Sequence, residues 1–220
     1  MVKDSYLSVE SASCGEYKEK GSKFIAIAVP FDDESKLDEI LSEIKNDHPK
    51  ARHYCYAWQI GINRDKFRMN DDGEPSGTAG KPIFGQIQSF NLSNVAIVVV
   101  RYFGGTKLGV SGLTNAYKMA SRAAIENAII IEKFLFADYN LIFDYSNMGH
   151  ILSVLKEKEI QIIQKSFENS CLVHIRLRIS EETNKLKDIK SGILNISREE
   201  ISDNTEISFC TIKKVSGLKN

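Results

Sequence analysis

"VAIVVVRYFGGTKLGVSGLTNAYKMASRAAIENA", Val95 to Ala128, decides the fold. Its first six residues are all aliphatic. A strand with no polar alternation has no solvent face, so it must lie inside a sheet covered on both sides. "FGGTKLGVSG" breaks the strand, and "LTNAYKMASRAAIENA" continues as a helix. Strand, glycine-rich loop and helix in succession predict a mixed α and β domain.

Outward from this stretch the pattern agrees. Ser22–Phe31 reads as a strand ended by Pro30, and Asp32 and Asp33 can cap a helix. Leu37, Ile40, Leu41 and Ile44 follow at helical spacing, and Pro49 stops the run. In His53–Ile60, Tyr54, Tyr56, Trp58 and Ile60 share one strand face, while His53 and Cys55 share the other. "INRDKFRMN" reads as a further short, polar strand. A helix is predicted around Thr78–Phe90, capped by Ser76 or Thr78 and carrying Gly80, Lys81 and Pro82 in its opening turn.

The second half alternates more cleanly. Leu135, Ala137, Tyr139, Leu141 and Phe143 line one strand face, and Ser146 is placed to cap a helix with Met148, Ile151, Leu152 and Leu155. "IQIIQKSF" and "CLVHIRLRI" flank the turn Glu168-Asn169-Ser170. Ser180 is placed to open a helix with Leu186, Ile189 and Ile193, and "TEISFCTIKK" closes as a strand. The order β-α-β-β-α-β matches a ferredoxin-like split βαβ unit. The fold class is therefore α+β in two domains, residues 1–130 and 131–220, in keeping with a length of 220.

Bulk composition excludes several classes. Basic and acidic residues balance at 29 each, so a chain that coats nucleic acid with overall positive charge is not expected. The longest aliphatic run, Val95 to Val100, is far too short to span a bilayer. No apolar run follows Lys3, so no secretory signal is read. Cys14, Cys55, Cys171 and Cys210 show no CxxC spacing, which points to reduced thiols in a cytoplasmic protein without a zinc or redox motif.

Charge is uneven along the chain. No Asp or Glu lies between Glu74 and Glu126, whereas Lys81, Arg101, Lys107, Lys118 and Arg122 do. Two glycine-rich loops fall in this window, and each leads into a helix. Helix starts carry unpaired N–H groups and partial positive charge. Glycines let an anion approach the main chain, and lysines add full charge. The candidate anion or nucleic-acid site is Ser76, Gly77, Thr78, Gly80, Lys81, Arg101, Tyr102, Gly104, Gly105, Thr106, Lys107 and Gly109. Walker A and GxGxxG are both absent, so neither a P-loop nor a Rossmann site is predicted. The structural reading stands beside the functional one: the same glycines can serve tight turns, and packing can exclude acids.

Other constellations are weaker. His53 and Cys55 lie about 6.5–7 Å apart as i and i+2 strand residues, awkward for a nucleophile–base pair. Tyr54, Tyr56 and Trp58 read as core before they read as base-stacking rings. Asp71, Asp72 and Glu74 form an acidic turn before they form a cation site, so no metal and no cofactor is predicted.

"DDGEPSGTAGKPI", "VVVRYFGGTKLGVSGL", "GLTNAY" and "HPKARHYCYAW" strongly resemble the YigZ/IMPACT family. The resemblance covers about the first 130 residues. Its motif falls on Asp72, Gly73, Glu74, Pro75, Gly77, Thr78, Gly80, Lys81 and Pro82. It also falls on Arg101, Tyr102, Gly104, Gly105, Leu108, Gly109 and Gly112, while Lys107 often corresponds to a hydrophobic residue in the family. The resemblance implies a first domain like domain IV of elongation factor G (ribosomal protein S5 domain 2-like). It implies a second domain like that factor's ferredoxin-like domain V. It points toward RNA or the ribosome, and, through eukaryotic members, toward a protein partner in translation control. The leading expectation is thus a translation-linked regulator that binds RNA or ribosomal phosphate backbone. Two rivals remain: an enzyme on a small phosphorylated substrate, with His53 or Glu74 as acid/base, and a protein-interaction module with an exposed apolar patch.

Overall fold

The computed structural model describes residues 4–202 and 204–215. The described chain mixes five α-helices with three sheets and divides into two compact units. One unit is Tyr6–Lys133. The other takes Phe134 onward together with Asp4 and Ser5.

In the first unit, β1 (Ser5–Val9), β2 (Ser13–Glu19) and β3 (Ser22–Pro30) precede α1 (Leu37–Asp47). Then come β4 (His53–Ile60), β5 (Lys66–Asn70), α2 (Gly80–Ser89), β6 (Val95–Tyr102), α3 (Gly109–Glu126) and β7 (Ile130–Phe134). The main sheet runs β2-β3-β6-β4-β5, and every neighbouring pair is antiparallel. The central strand is β6, as its unbroken apolar run requires. Val95, Ile97 and Val99 pack with α2 and α3, and Ala96, Val98 and Val100 pack with Leu37 and Ile44 of α1. Tyr56 and Trp58 are buried on the α1 side, so the β4 aromatics are core. Asp33 accepts from the Ser35 N–H at the start of the α1 region.

Three strands, β1, β2 and β7, escape the sequence reading. β1 pairs with β7 as a separate ribbon. β2 carries mixed polar residues, and its inward position 15 must be glycine. A Cβ there would sit 2.1 Å from Ala124 N on α3, so the helix lies directly on the strand.

The second unit contains β8 (Phe136–Phe143), α4 (Met148–Glu157), β9 (Gln161–Phe167), β10 (Cys171–Arg178), α5 (Glu182–Leu194) and β11 (Cys210–Lys214). Its sheet order is β11-β8-β10-β9. Ala137, Tyr139, Leu141 and Phe143 join Ile151, Leu155, Ile189 and Ile193 in one core. The predicted serine caps are corrected. Asn147 precedes α4 after a 3-10 turn that contains Ser146. Glu181 precedes α5, and Ser180 Oγ donates instead to the Asp4 carboxylate, which Arg178 also binds. The last strand is shorter than read, because Ile207 makes only an isolated bridge and residues 208–209 form a turn.

Candidate functional site

Strand alternation delivers the site. Arg101 lies on the α2/α3 face of β6, opposite His53 on β4 and Phe24 on β3. Cys55 follows on the same face of β4, and α3 adds Tyr117, which is fully buried. Glu74 enters from the loop before α2. The chain reverses there: Asp72 and Gly73 both have positive φ, and the Glu74 N–H donates to Asp71 O at 2.9 Å.

These groups form one chain of hydrogen bonds. Arg101 Nη1 donates to Glu74 Oε1 at 2.5 Å, and Tyr117 Oη donates to the same oxygen at 2.8 Å. The Cys55 thiol is 3.3 Å from Tyr117 Oη and 3.0 Å from Asp71 O. Arg101 and Glu74 are 6% and 9% exposed, so this is a buried ion pair. The guanidinium also lies 5.4 Å from the Phe24 ring centroid and 5.6 Å from that of Phe103, while its Nε has no hydrogen-bond partner among the described residues. Burial pushes the Cys55 thiol up to about 12, helped by the carboxylates of Glu74, Asp72 and Asp71. Burial also raises Tyr117, with Cys55 and Glu74 adding to the effect. Both groups stay protonated at neutral pH. The cluster fastens the 71–79 loop to β6 and α3, and both of its bonds to Glu74 fall on Oε1. His53 Nδ1 lies 2.9 Å from Asp72 O and likewise serves the loop.

The two glycine-rich helix starts differ. At α2 the Asp71 carboxylate accepts from Gly77 N–H at 2.9 Å, Ala79 N–H at 2.9 Å and Gly80 N–H at 2.8 Å. The amides offered to an external anion in the sequence reading are already occupied by the chain's own carboxylate. Burial pushes the Asp71 carboxyl up, but the three amides more than reverse this, and the net shift is down. Neither Ser76 nor Thr78 caps the helix: Ser76 is exposed, and Thr78 Oγ1 donates to Pro75 O. At α3, no side chain among the described residues accepts from the amides of Gly109, Val110 or Ser111.

The remaining predicted residues divide. Gly105, Thr106, Lys107 and Gly109 are exposed around the α3 start, and Lys81 is exposed at the first turn of α2. Gly104 is held: a Cβ there would lie 1.9 Å from the Gly21 carbonyl carbon, and its N–H reaches Ser22 Oγ at 3.2 Å. Tyr102 is separated from Arg101 by the pleat and faces α1, where its hydroxyl meets His48 Nδ1 at 3.0 Å. Of the cations in the acid-free window, Arg101 and Arg122 are paired, with Glu74 and Glu126. Lys81, Lys107 and Lys118 make no ion pair among the described residues. Sequence reasoning missed Asp71 as a cap because it lies six to nine residues before the amides it binds. It missed Tyr117 because a helix tyrosine carries no local sign of its partner.

The fold and this clamp define the class of the first unit: residues 20–125 match the family model of the Impact N-terminal domain. An IMPACT family member of Haemophilus influenzae is 34% identical over 90% of this chain and 98% of its own length. The IMPACT family member YigZ of Escherichia coli is 31% identical over 80% of this chain and 89% of its own. A crystal structure of a hypothetical protein is similar over 96% of this chain and 97% of its own, with a TM-score of 0.65 at 25% identity. The chain belongs to the IMPACT family. No helix among the described residues is long and apolar enough to cross a membrane.

Proposed function

We propose that the protein is a translation-linked regulator that binds RNA or ribosomal phosphate backbone through the start of α3. The observation that carries this reading is the uncapped first turn of an 18-residue helix behind exposed Gly105, Thr106, Lys107 and Gly109. A helix start of this kind favours an anion, and lysines without carboxylate partners add charge to it. Lys107 supplies that charge just before α3, Lys118 adds to it from within α3, and Lys81 is a further contributor from α2. Arg101 acts indirectly, as part of the buried clamp that fixes the loop. Contacts to phosphate give affinity with little sequence preference. The strand order β11-β8-β10-β9 supports a ferredoxin-like reading of the second unit, and family membership supports an elongation-factor-like reading of the first.

The test is a titration of short RNA against the full chain between about 50 and 200 mM salt. Affinity should fall steeply, and each of Lys107→Ala and Lys118→Ala should reduce the log–log slope by about one. Affinity that does not change with salt, or a slope unchanged in the double variant, overturns the reading. All three substitutions Lys81→Ala, Lys107→Ala and Lys118→Ala are at exposed positions, so the fold survives the test.

A further inference from the structure

The edges of the two larger sheets are treated differently. β2 is covered by α3: Ser13 Oγ donates to Ala124 O, and Asn127 Nδ2 donates to Cys14 O. It also carries Glu16, paired with Lys18 and Lys23. The ladder between β9 and β10 shifts register at His174/Ile175, an irregularity that discourages addition of another strand.

The β5 edge has neither device. It pairs with β4 in unbroken register along all five residues and has no strand on its other side among the described residues. Its two faces are chemically sorted. Phe67 and Met69 stand opposite Gln59 and Ala57, on the α2/α3 face, and are 51% and 40% exposed. The Phe67 ring stacks on Phe84 of α2 at 4.9 Å and 24°, which holds it flat. Lys66 and Arg68 stand opposite Ile60 and Trp58, on the α1 face. Both are exposed, and neither makes an ion pair among the described residues.

We propose that this edge docks an extended peptide segment of a partner protein, with aliphatic and acidic residues in alternation. A strand added to an edge continues the pleat, so its alternate side chains fall on opposite faces of the sheet. Its aliphatic residues extend the row begun by Phe67 and Met69. Its carboxylates fall beside Lys66 and Arg68, where unlike charges across neighbouring strands are favourable. Main-chain bonds supply affinity and this two-sided match supplies selectivity. A basic or uniformly polar strand satisfies one face at most. The site uses none of the α3 residues, so its failure and the failure of the RNA reading are separate results.

Two capped synthetic peptides test it, one alternating valine with glutamate and one alternating valine with lysine. Each is titrated into the full chain while backbone amide resonances are followed by NMR. The valine–glutamate peptide should shift the amides of residues 66–70 and bind at least about tenfold more tightly than the valine–lysine peptide, roughly 1.4 kcal/mol. The double charge reversal Lys66→Glu/Arg68→Glu, at exposed positions that spare the core, should invert the preference. Equal binding of both peptides, no binding of either, or shifts confined to other strands overturns the proposal. So does a dimer that occupies β5 and excludes the peptide, because the edge then belongs to a second copy.

Discussion

The starts of α2 and α3 are made of similar residues: glycines, a hydroxyl residue and a lysine beside a helix that packs on the same sheet. At α2 the amides are closed by Asp71, and the loop that carries Asp71 is riveted to β6 by Glu74 and Arg101. At α3 the first-turn amides have no side-chain partner among the described residues. A glycine-rich helix start is therefore not in itself a binding site. What separates an internal joint from an open one is whether a carboxylate of the same chain arrives first.

The largest expected effect lies in the closed half. Replacing one member of a buried ion pair leaves the other charge without compensation and costs about 3–5 kcal/mol. Glu74→Gln and Arg101→Met should each lower the unfolding free energy extrapolated from urea titration by that order. The double variant should be less destabilised than the sum of the singles, because no lone charge remains. Additive losses in the double-mutant cycle would show that the clamp is not a coupled unit. Arg101 is then open to reinterpretation as a ligand residue, and the contrast between the two starts is lost.

Next in size is the cap itself. Asp71→Asn keeps the shape but removes the charge that three amides bind, a loss of about 2 kcal/mol at neutral pH. Because the folded-state carboxyl is held below its ordinary value, the stability it contributes is present above about pH 3.9. It is lost as pH falls through the depressed folded value. The stability gap between the native chain and Asp71→Asn should therefore close in acid. A gap that persists at the lowest pH where the chain still folds would mean that packing, not charge, holds the α2 start.

Much of this architecture was legible in the sequence, because hydrophobic period is a local signal. The aliphatic run in β6, the alternation in β4 and the order of elements from β8 to β11 can each be read within ten residues or so. β2 was not, since Gly15 and its polar neighbours have no apolar rhythm and the strand exists because α3 rests on it. The candidate site was half legible. The acid-free window, read as a stretch of concentrated positive charge, ended at the two acids, Glu74 and Glu126, that neutralise Arg101 and Arg122. The cap at α2 was hidden for a related reason. Asp71 looked like one member of an acidic turn, and only the folded loop brings it back over Gly77, Ala79 and Gly80.

The smallest expected stability change gives the sharpest comparison. Val110 is 66% exposed in the first turn of α3, and valine and aspartate have similar helix propensity. A carboxylate at this position interacts favourably with the helix start, so Val110→Asp should stabilise the chain by about 0.5 kcal/mol. The same charge would occupy the place proposed for a phosphate, so RNA affinity should fall about tenfold or more while stability rises. Opposite signs for the two readouts exclude a trivial loss of fold. Ser76→Asp, an exposed position before α2, is the control. The α2 amides already hold a carboxylate, so a new one nearby should leave RNA affinity near its native value. If Ser76→Asp weakens RNA as much as Val110→Asp, the two starts act alike toward an anion, and the distinction drawn between an occupied and an open helix terminus fails.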